Sequence, residues 1–238
     1  MVTMMQILET RIKKFGYENP NGVVPLKAAK GHFATTHSHI NYYIDLTTLK
    51  SRSREARQAA SALASYYQTD TTIDTIVCID GTMVLGAYLA EALEEKGLPS
   101  TNLHNTIYVI EPENNNNTQL IFRDNIIPML RGKNVLLLLA TISSGISFTK
   151  GIRCVEYYGG NVVGLASIFS AVTLYHHTPI RTIYTADDIP DYQSYNPVDC
   201  PMCKAGNKVE AFVNAFGYSQ NSEPEYQQQR IEDYQQIY

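Results

Sequence analysis

Four hydroxyl residues, Thr141, Ser143, Ser144 and Ser147, surround Gly145 in "VLLLLATISSGIS", at the end of a run of apolar residues. That combination suits an anion. Backbone N–H groups at a strand-to-helix turn have no helical partner, and the helix dipole adds partial positive charge. Phosphates settle at such turns. Glycine at 145 lets the backbone wrap an oxyanion, because it can take a positive φ. Serine and threonine also start many helices as simple caps, but a cap does not need this many hydroxyls. Thr141, Ser143, Ser144, Gly145, Ile146 and Ser147 are therefore read as a phosphate-binding turn.

A second group of residues could hold a metal. Cys200 and Cys203 in "DCPMCKAG" have the spacing of a zinc knuckle. A structural zinc takes four ligands, and there is no second C-x-x-C in the sequence. His176 and His177 could complete a set only if the fold brought the tail back to them. The surroundings do not resemble a thioredoxin-type redox motif. The preferred reading is a tight turn with exposed or half-buried thiols, with zinc as the alternative. His32, His37 and His39 stand close together beside Tyr42 and Tyr43. Their spacing gives no helical i, i+4 pair, so they are read as a polar loop.

The elements that would carry these residues follow from hydrophobic pattern. Short runs rich in apolar and β-branched residues predict strands at 72–80, 105–111, 133–140, 161–171 and 180–186. The run at 133–140 does not alternate, which implies burial on both faces. Helical stretches are predicted at 53–68, at 83–97 with a stop at Gly97 and Pro99, and at 148–159. A short helix is expected near 207–216. Strands alternating with helices at this spacing predict an α/β fold with a central parallel sheet of about five strands. The segment 112–119 is a polar excursion. Two regions are expected: a domain over 1–188 that includes an N-terminal hood segment, and a C-terminal extension over 189–238 carrying the cysteines.

Composition narrows the partners. The 238 residues are 44% hydrophobic and 18% charged with a net charge of −4, which suits a packed core and gives no basic surface for nucleic acid or membrane. No stretch is long and apolar enough to span a bilayer. The first residues, "MVTMMQILETRIKK", carry their charges after the apolar residues, the wrong order for a secretory signal. Two of the four cysteines lie in apolar runs, so a cytoplasmic location is expected. Seventeen tyrosines, many in the tail, suit a wet packing surface or homodimer contact.

Three stretches in one order resemble the type I phosphoribosyltransferases, in particular the orotate phosphoribosyltransferase-like branch. "NVLLLLATISSGISFTKGIRCVEYYGGNVVGLASIF" is similar to the ribose-phosphate signature, with Ser143, Ser144 and Gly145 on the hydroxyl-hydroxyl-glycine positions. "GHFATTHSHINYYIDL" (31–46) resembles the segment near the start of the orotate enzymes, and would lie near the substrate mouth. "IDTIVCIDGTMVLGAYLAEALEEKGLP" (73–99) looks like the strand, pyrophosphate loop and helix, with Asp80, Gly81 and Thr82 on the pyrophosphate side. The resemblance covers about residues 31 to 186. It implies a ligand such as phosphoribosyl pyrophosphate or another sugar phosphate or nucleotide. It also implies transfer of ribose 5-phosphate to a nucleobase, with Mg²⁺ on the pyrophosphate.

Two departures bear on that activity. The family's paired acids, which bind the ribose hydroxyls, fall on Leu139 and Ala140, and no slip of alignment supplies an acid between 135 and 147. The family's basic loop falls on "EPENNNNTQLIFRDN", which has Glu111 and Glu113 and only Arg123 as a base. Asp80 could hold Mg²⁺ or cap the following helix, and the cap is the preferred reading. The alternative function is a non-catalytic, regulatory binder of a nucleotide or sugar phosphate that keeps the turn and lacks the acids.

Overall fold

A computed structural model of the chain describes residues 11–19, 22–94, 101–102, 106–115, 119–143, 146–176 and 178–220. The strands are β1 (Lys13–Asn19), β2 (Gly22–Ala34), β3 (His39–Asp45), β4 (Thr75–Cys78), β5 (Tyr108–Ile110), β6 (Glu113–Asn114), β7 (Leu120–Ile121), β8 (Asn134–Ile142), β9 (Asn161–Ser170), β10 (Leu174–Tyr175), β11 (Thr178–Thr185), β12 (Ser194–Tyr195), β13 (Ala211–Asn214) and β14 (Gly217–Gln220). The α-helices are α1 (Thr47–Ser51), α2 (Ser53–Ala64), α3 (Met83–Leu93), α4 (Ile146–Tyr157) and α5 (Pro201–Lys204).

The central sheet has the order β10-β11-β9-β8-β4-β5. Five of its strands run parallel, as expected, and the two-residue β10 adds an antiparallel edge. Strand β8 explains why its sequence does not alternate. Val135, Leu137 and Leu139 join a core with Phe148 and Val155 of α4. Leu136, Leu138 and Ala140 join the opposite core with Leu63 of α2 and Leu85 and Leu89 of α3. With apolar cover on both faces, polar positions have no place in the strand.

Helix α3 lies very close to β4. A Cβ added at Gly86 would stand 2.3 Å from Cys78 Sγ and 3.1 Å from Val109 Cγ1. Gly86→Ala is therefore expected to destabilise the chain by about 1–3 kcal/mol through overpacking. A urea midpoint equal to that of the native chain would show that the helix moves aside without cost. The predicted stop at Gly97 and Pro99 lies outside the described residues.

The hood is a second sheet, of order β12-β3-β2-β13-β14, with β1 paired to β2. It shares the core formed by α2, α3 and one face of the central sheet, through Val24, Leu26, Phe33 and Tyr43. Two expectations need correction here. The expected helix near 207–216 is the strand pair β13–β14. Within "AFVN", Ala211 and Val213 are buried while Phe212 and Asn214 are exposed, a period of two that belongs to a strand. The short helix of the tail is α5 instead. Nor is the segment from Ile189 set apart from the first region. Strand β12 pairs with β3 and β13 with β2, so the described part of the tail completes the hood sheet.

Candidate functional site

The ends of the central strands and the hood line a half-open cavity of about 250 Å³. Leu139, Thr141 and Ser143 of β8 and its following turn line it, as does Asp80 after β4. Thr35, Thr36 and His37 of the β2–β3 turn and Val213 to Phe216 of the β13–β14 turn form the hood side. Thr141, two residues after Leu139 on β8, shares its face, and Ser143 follows just past the strand's end. Of the residues read as a phosphate turn, these two are placed at the cavity. Ser144 and Gly145 lie outside the described residues. Ile146 begins α4, and nothing is described of its side chain or that of Ser147.

Asp80, Gly81 and Thr82 form a tight turn between β4 and α3. Asp80 and Gly81 have φ of 65° and 73°, in the left-handed region that a non-glycine residue occupies with strain. Asp80 does not cap the helix, contrary to expectation. Thr82 is the N-cap, and its hydroxyl is drawn into the sheet, its one proton shared between the Ile79 carbonyl at 2.9 Å and the Leu138 carbonyl at 3.2 Å. Thr82 is thus a buried tie between the turn and β8, while Asp80 faces the cavity.

A buried cation stands behind this turn. Lys50, at the end of α1, donates from Nζ to the carbonyls of Asp80, at 2.9 Å, and Ala215. Its ammonium lies 5.2 Å from the Phe216 ring centre. Burial pushes the Lys50 ammonium below the usual lysine range, against the charges of Asp80 and Asp45. Burial likewise raises the Asp80 carboxyl, against the charge of Lys50. Sequence pattern gave no sign of Lys50, the last residue of "DLTTLK", because an isolated lysine is ordinarily exposed. It is 7% exposed.

Within the stretch 111–125, β6 pairs antiparallel with β7. Its one base is spoken for: Arg123 donates to Glu113 through Nε and Nη2 at 3.0 and 2.7 Å. The charge deficit expected there is present among the described residues.

The three hood histidines divide. His37 is exposed at the cavity. His32 and His39 instead face the tail cysteines. His32 Nε2 is 3.1 Å from His39 Nδ1, 3.6 Å from Cys200 Sγ and 3.7 Å from Cys203 Sγ, and Cys203 Sγ is 3.2 Å from His39 Nδ1. The polar-loop reading of all three is corrected for these two. Their seven-residue separation joins them across the β2–β3 hairpin, where Ala34 pairs with His39, and not along a helix. Of the other histidine pair considered for the cysteines, His176 follows β10 at the far edge of the central sheet and His177 lies outside the described residues.

No family profile matches the chain. An orotate phosphoribosyltransferase of Sulfurimonas denitrificans is 25% identical over 196 residues, covering 76% of this chain and 89% of that protein. Among solved structures, a UMP synthase of Leishmania donovani superposes with a TM-score of 0.50 at 13% identity, over 67% of this chain. The chain spans about a third of that protein, 34%. An orotate phosphoribosyltransferase of Mycobacterium tuberculosis superposes with a TM-score of 0.43 at 17% identity, over 62% of this chain and 80% of the other. The parallel sheet and the hood over its face define a type I phosphoribosyltransferase fold. Within that class the chain is orotate phosphoribosyltransferase-like. No helix among the described residues is long and apolar enough to cross a membrane.

Proposed function

We propose that the cavity binds a 5-phosphorylated ribose ligand, with phosphoribosyl pyrophosphate as its natural form. The chemistry built around it would be transfer of the ribose 5-phosphate to a nucleobase nitrogen with release of pyrophosphate. The observation that carries this reading is one half-open cavity lined by Thr141, Ser143 and Asp80 together. The 5-phosphate would sit in the turn over 141–147, where helix α4 begins. The pyrophosphate would lie toward Asp80 and Gly81. Mg²⁺ usually takes one or two carboxylates and completes its shell with substrate phosphates and water. Asp80 is the one carboxylate among the described lining residues, so it would hold the ion only together with the ligand's phosphates. Homodimer formation through tyrosine-rich surface is part of the same reading.

Leu139 favours a second reading. A leucine side chain occupies the wall where the ribose hydroxyls would need acceptors, which suits a protein that binds a sugar phosphate or nucleotide without rapid turnover. Titration separates the two. Phosphoribosyl pyrophosphate, ribose 5-phosphate and a nucleoside monophosphate are compared with and without Mg²⁺. A transferase prefers the pyrophosphate and needs Mg²⁺; a phosphate binder treats the ligands alike. Gly145→Val, which resists positive φ and fills the turn, is expected to abolish binding of all three in a folded chain. Unchanged affinity in that variant would overturn the phosphate site itself.

A further inference from the structure

We infer that His32, His39, Cys200 and Cys203 form a four-coordinate structural zinc site that clips the hood hairpin to the C-terminal segment. Their ligand atoms all lie within 4.8 Å of one another. Zinc bonds of about 2.3 Å to sulfur and 2.0–2.1 Å to nitrogen give a tetrahedron with edges of about 3.3–3.8 Å. The four separations described above, from 3.1 to 3.7 Å, fit such edges with an adjustment of a few tenths of an ångström. Two thiolates and two imidazoles are a common structural zinc set, and four protein ligands leave no open position for catalysis.

The surroundings prepare each ligand. His32 is 3% exposed, and its Nδ1 lies 3.0 Å from the Asn207 carbonyl. A carbonyl can only accept, so Nδ1 carries the proton and Nε2 presents its lone pair to the thiols. Such an outer partner is what usually orients a metal-bound histidine. The hood strand is shaped for the same end. The β2–β3 ladder shifts register between Lys30 and Phe33, and a bulge of this kind re-aims side chains. A Cβ at Gly31 would stand 2.6 Å from Glu210 Oε1, so only glycine leaves room for the carboxylate that accepts from His32 N at 3.1 Å. On the tail side, α5 places Cys200 at its N-cap and Cys203 in its single turn. Cys200 is fully buried and Cys203 reaches the surface.

The clip has a place in the site, although it does not depend on which ligand the cavity takes. His32 and His39 flank the turn that carries Thr35, Thr36 and His37, and the segment after Cys203 leads into β13 and the turn of Asn214 to Phe216. Both turns line the cavity. Zinc at this point would fix two loops of the roof with one ion.

The test is metal content of the full chain purified without added metal and kept reduced. About one zinc per chain is expected, surviving gel filtration. Replacement by Co²⁺ should give the intense visible bands of tetrahedral cobalt with a thiolate charge-transfer band in the near ultraviolet. Cys203→Ser, at the exposed corner, should stay folded and lose zinc to a mild chelator that leaves the native chain loaded. His39→Ala should behave alike, which separates a four-ligand site from a cysteine pair alone. Cys200→Ser is the less useful variant because its side chain is buried. Far less than one zinc per chain, with no uptake of Zn²⁺ or Co²⁺ by the reduced chain and two freely reactive thiols, would overturn the inference. So would full zinc retention in folded Cys203→Ser and His39→Ala chains.

Discussion

Leu139→Glu is expected to raise affinity for phosphoribosyl pyrophosphate by about one to two decades and to leave affinity for inorganic phosphate unchanged. The native chain should transfer ribose 5-phosphate to orotate very slowly. The reason is local. Leu139 lines the cavity at the position that the resemblance assigns to an acid, and its side chain accepts nothing from a ribose hydroxyl. A charge-assisted hydrogen bond is worth about 1.5–3 kcal/mol, which is about one to two decades in affinity. The second lost acid doubles that to about two to four decades, but the two positions cannot be repaired alike. Ala140 is turned to the opposite face, into the core with Leu136, Leu138 and Ile168. An aspartate there would be a buried, unpaired carboxylate, at a cost of several kcal/mol. Leu139 borders the cavity but is itself fully buried, so folding is checked first for Leu139→Glu as well as for Leu139→Glu with Ala140→Asp, and the single substitution is the smaller perturbation. Calorimetric titration reads the affinity and orotate consumption reads the rate. Native turnover of about 1 s⁻¹ or more, ordinary for enzymes, would show that another group grips the ribose.

The central sheet was legible because its signal is one-dimensional. A strand buried on both faces must be apolar throughout, and a hydroxyl-rich turn must follow it if an anion is to sit there. β8 and its turn meet both conditions, and the opposite orientations of Leu139 and Ala140 then follow from the strand's period of two. The hood was not legible in the same way. β13 is four residues long and pairs with β2 about 180 positions earlier, so the alternation in "AFVN" is too short to outweigh the helical reading of its neighbours. The thiol–imidazole cluster failed for a related reason. Seven residues separate His32 from His39, a spacing with no meaning on a helix, and they become neighbours only because the β2–β3 hairpin folds them together. Asp80 shows a third kind of limit. An aspartate three residues before a helix reads as a cap, yet its positive φ turns it toward the cavity and passes the N-cap position to Thr82.

Lys50→Met should weaken phosphoribosyl pyrophosphate by about one to two decades while changing ribose 5-phosphate much less. The family's basic loop has no free counterpart among the described residues, since Arg123 is paired to Glu113. Electrostatic stabilisation is usually the largest catalytic term in such chemistry, so a cation must come from elsewhere. Lys50 stands directly behind the Asp80–Gly81 turn, 3.6 Å from where a Gly81 Cβ would lie. A lysine ammonium has three protons, and the carbonyls of Asp80 and Ala215 take two of them. Methionine keeps much of the stem's packing and removes the charge. It also leaves those two carbonyls without their donor, at about 1–3 kcal/mol for each group left unsatisfied, so the denaturation midpoint should fall as well. The ligand comparison separates the two effects. A loosened turn or hood would weaken both ligands together, whereas a lost charge on the pyrophosphate side weakens only the one that carries pyrophosphate. Burial already holds the ammonium below its ordinary range. In the native chain the preference for pyrophosphate should therefore fade with rising pH before an exposed lysine would lose its proton. Lys50→Arg should extend that preference to higher pH if the larger head is accommodated. Equal losses for both ligands in a folded Lys50→Met chain would reduce Lys50 to a strut between α1 and the β13–β14 turn.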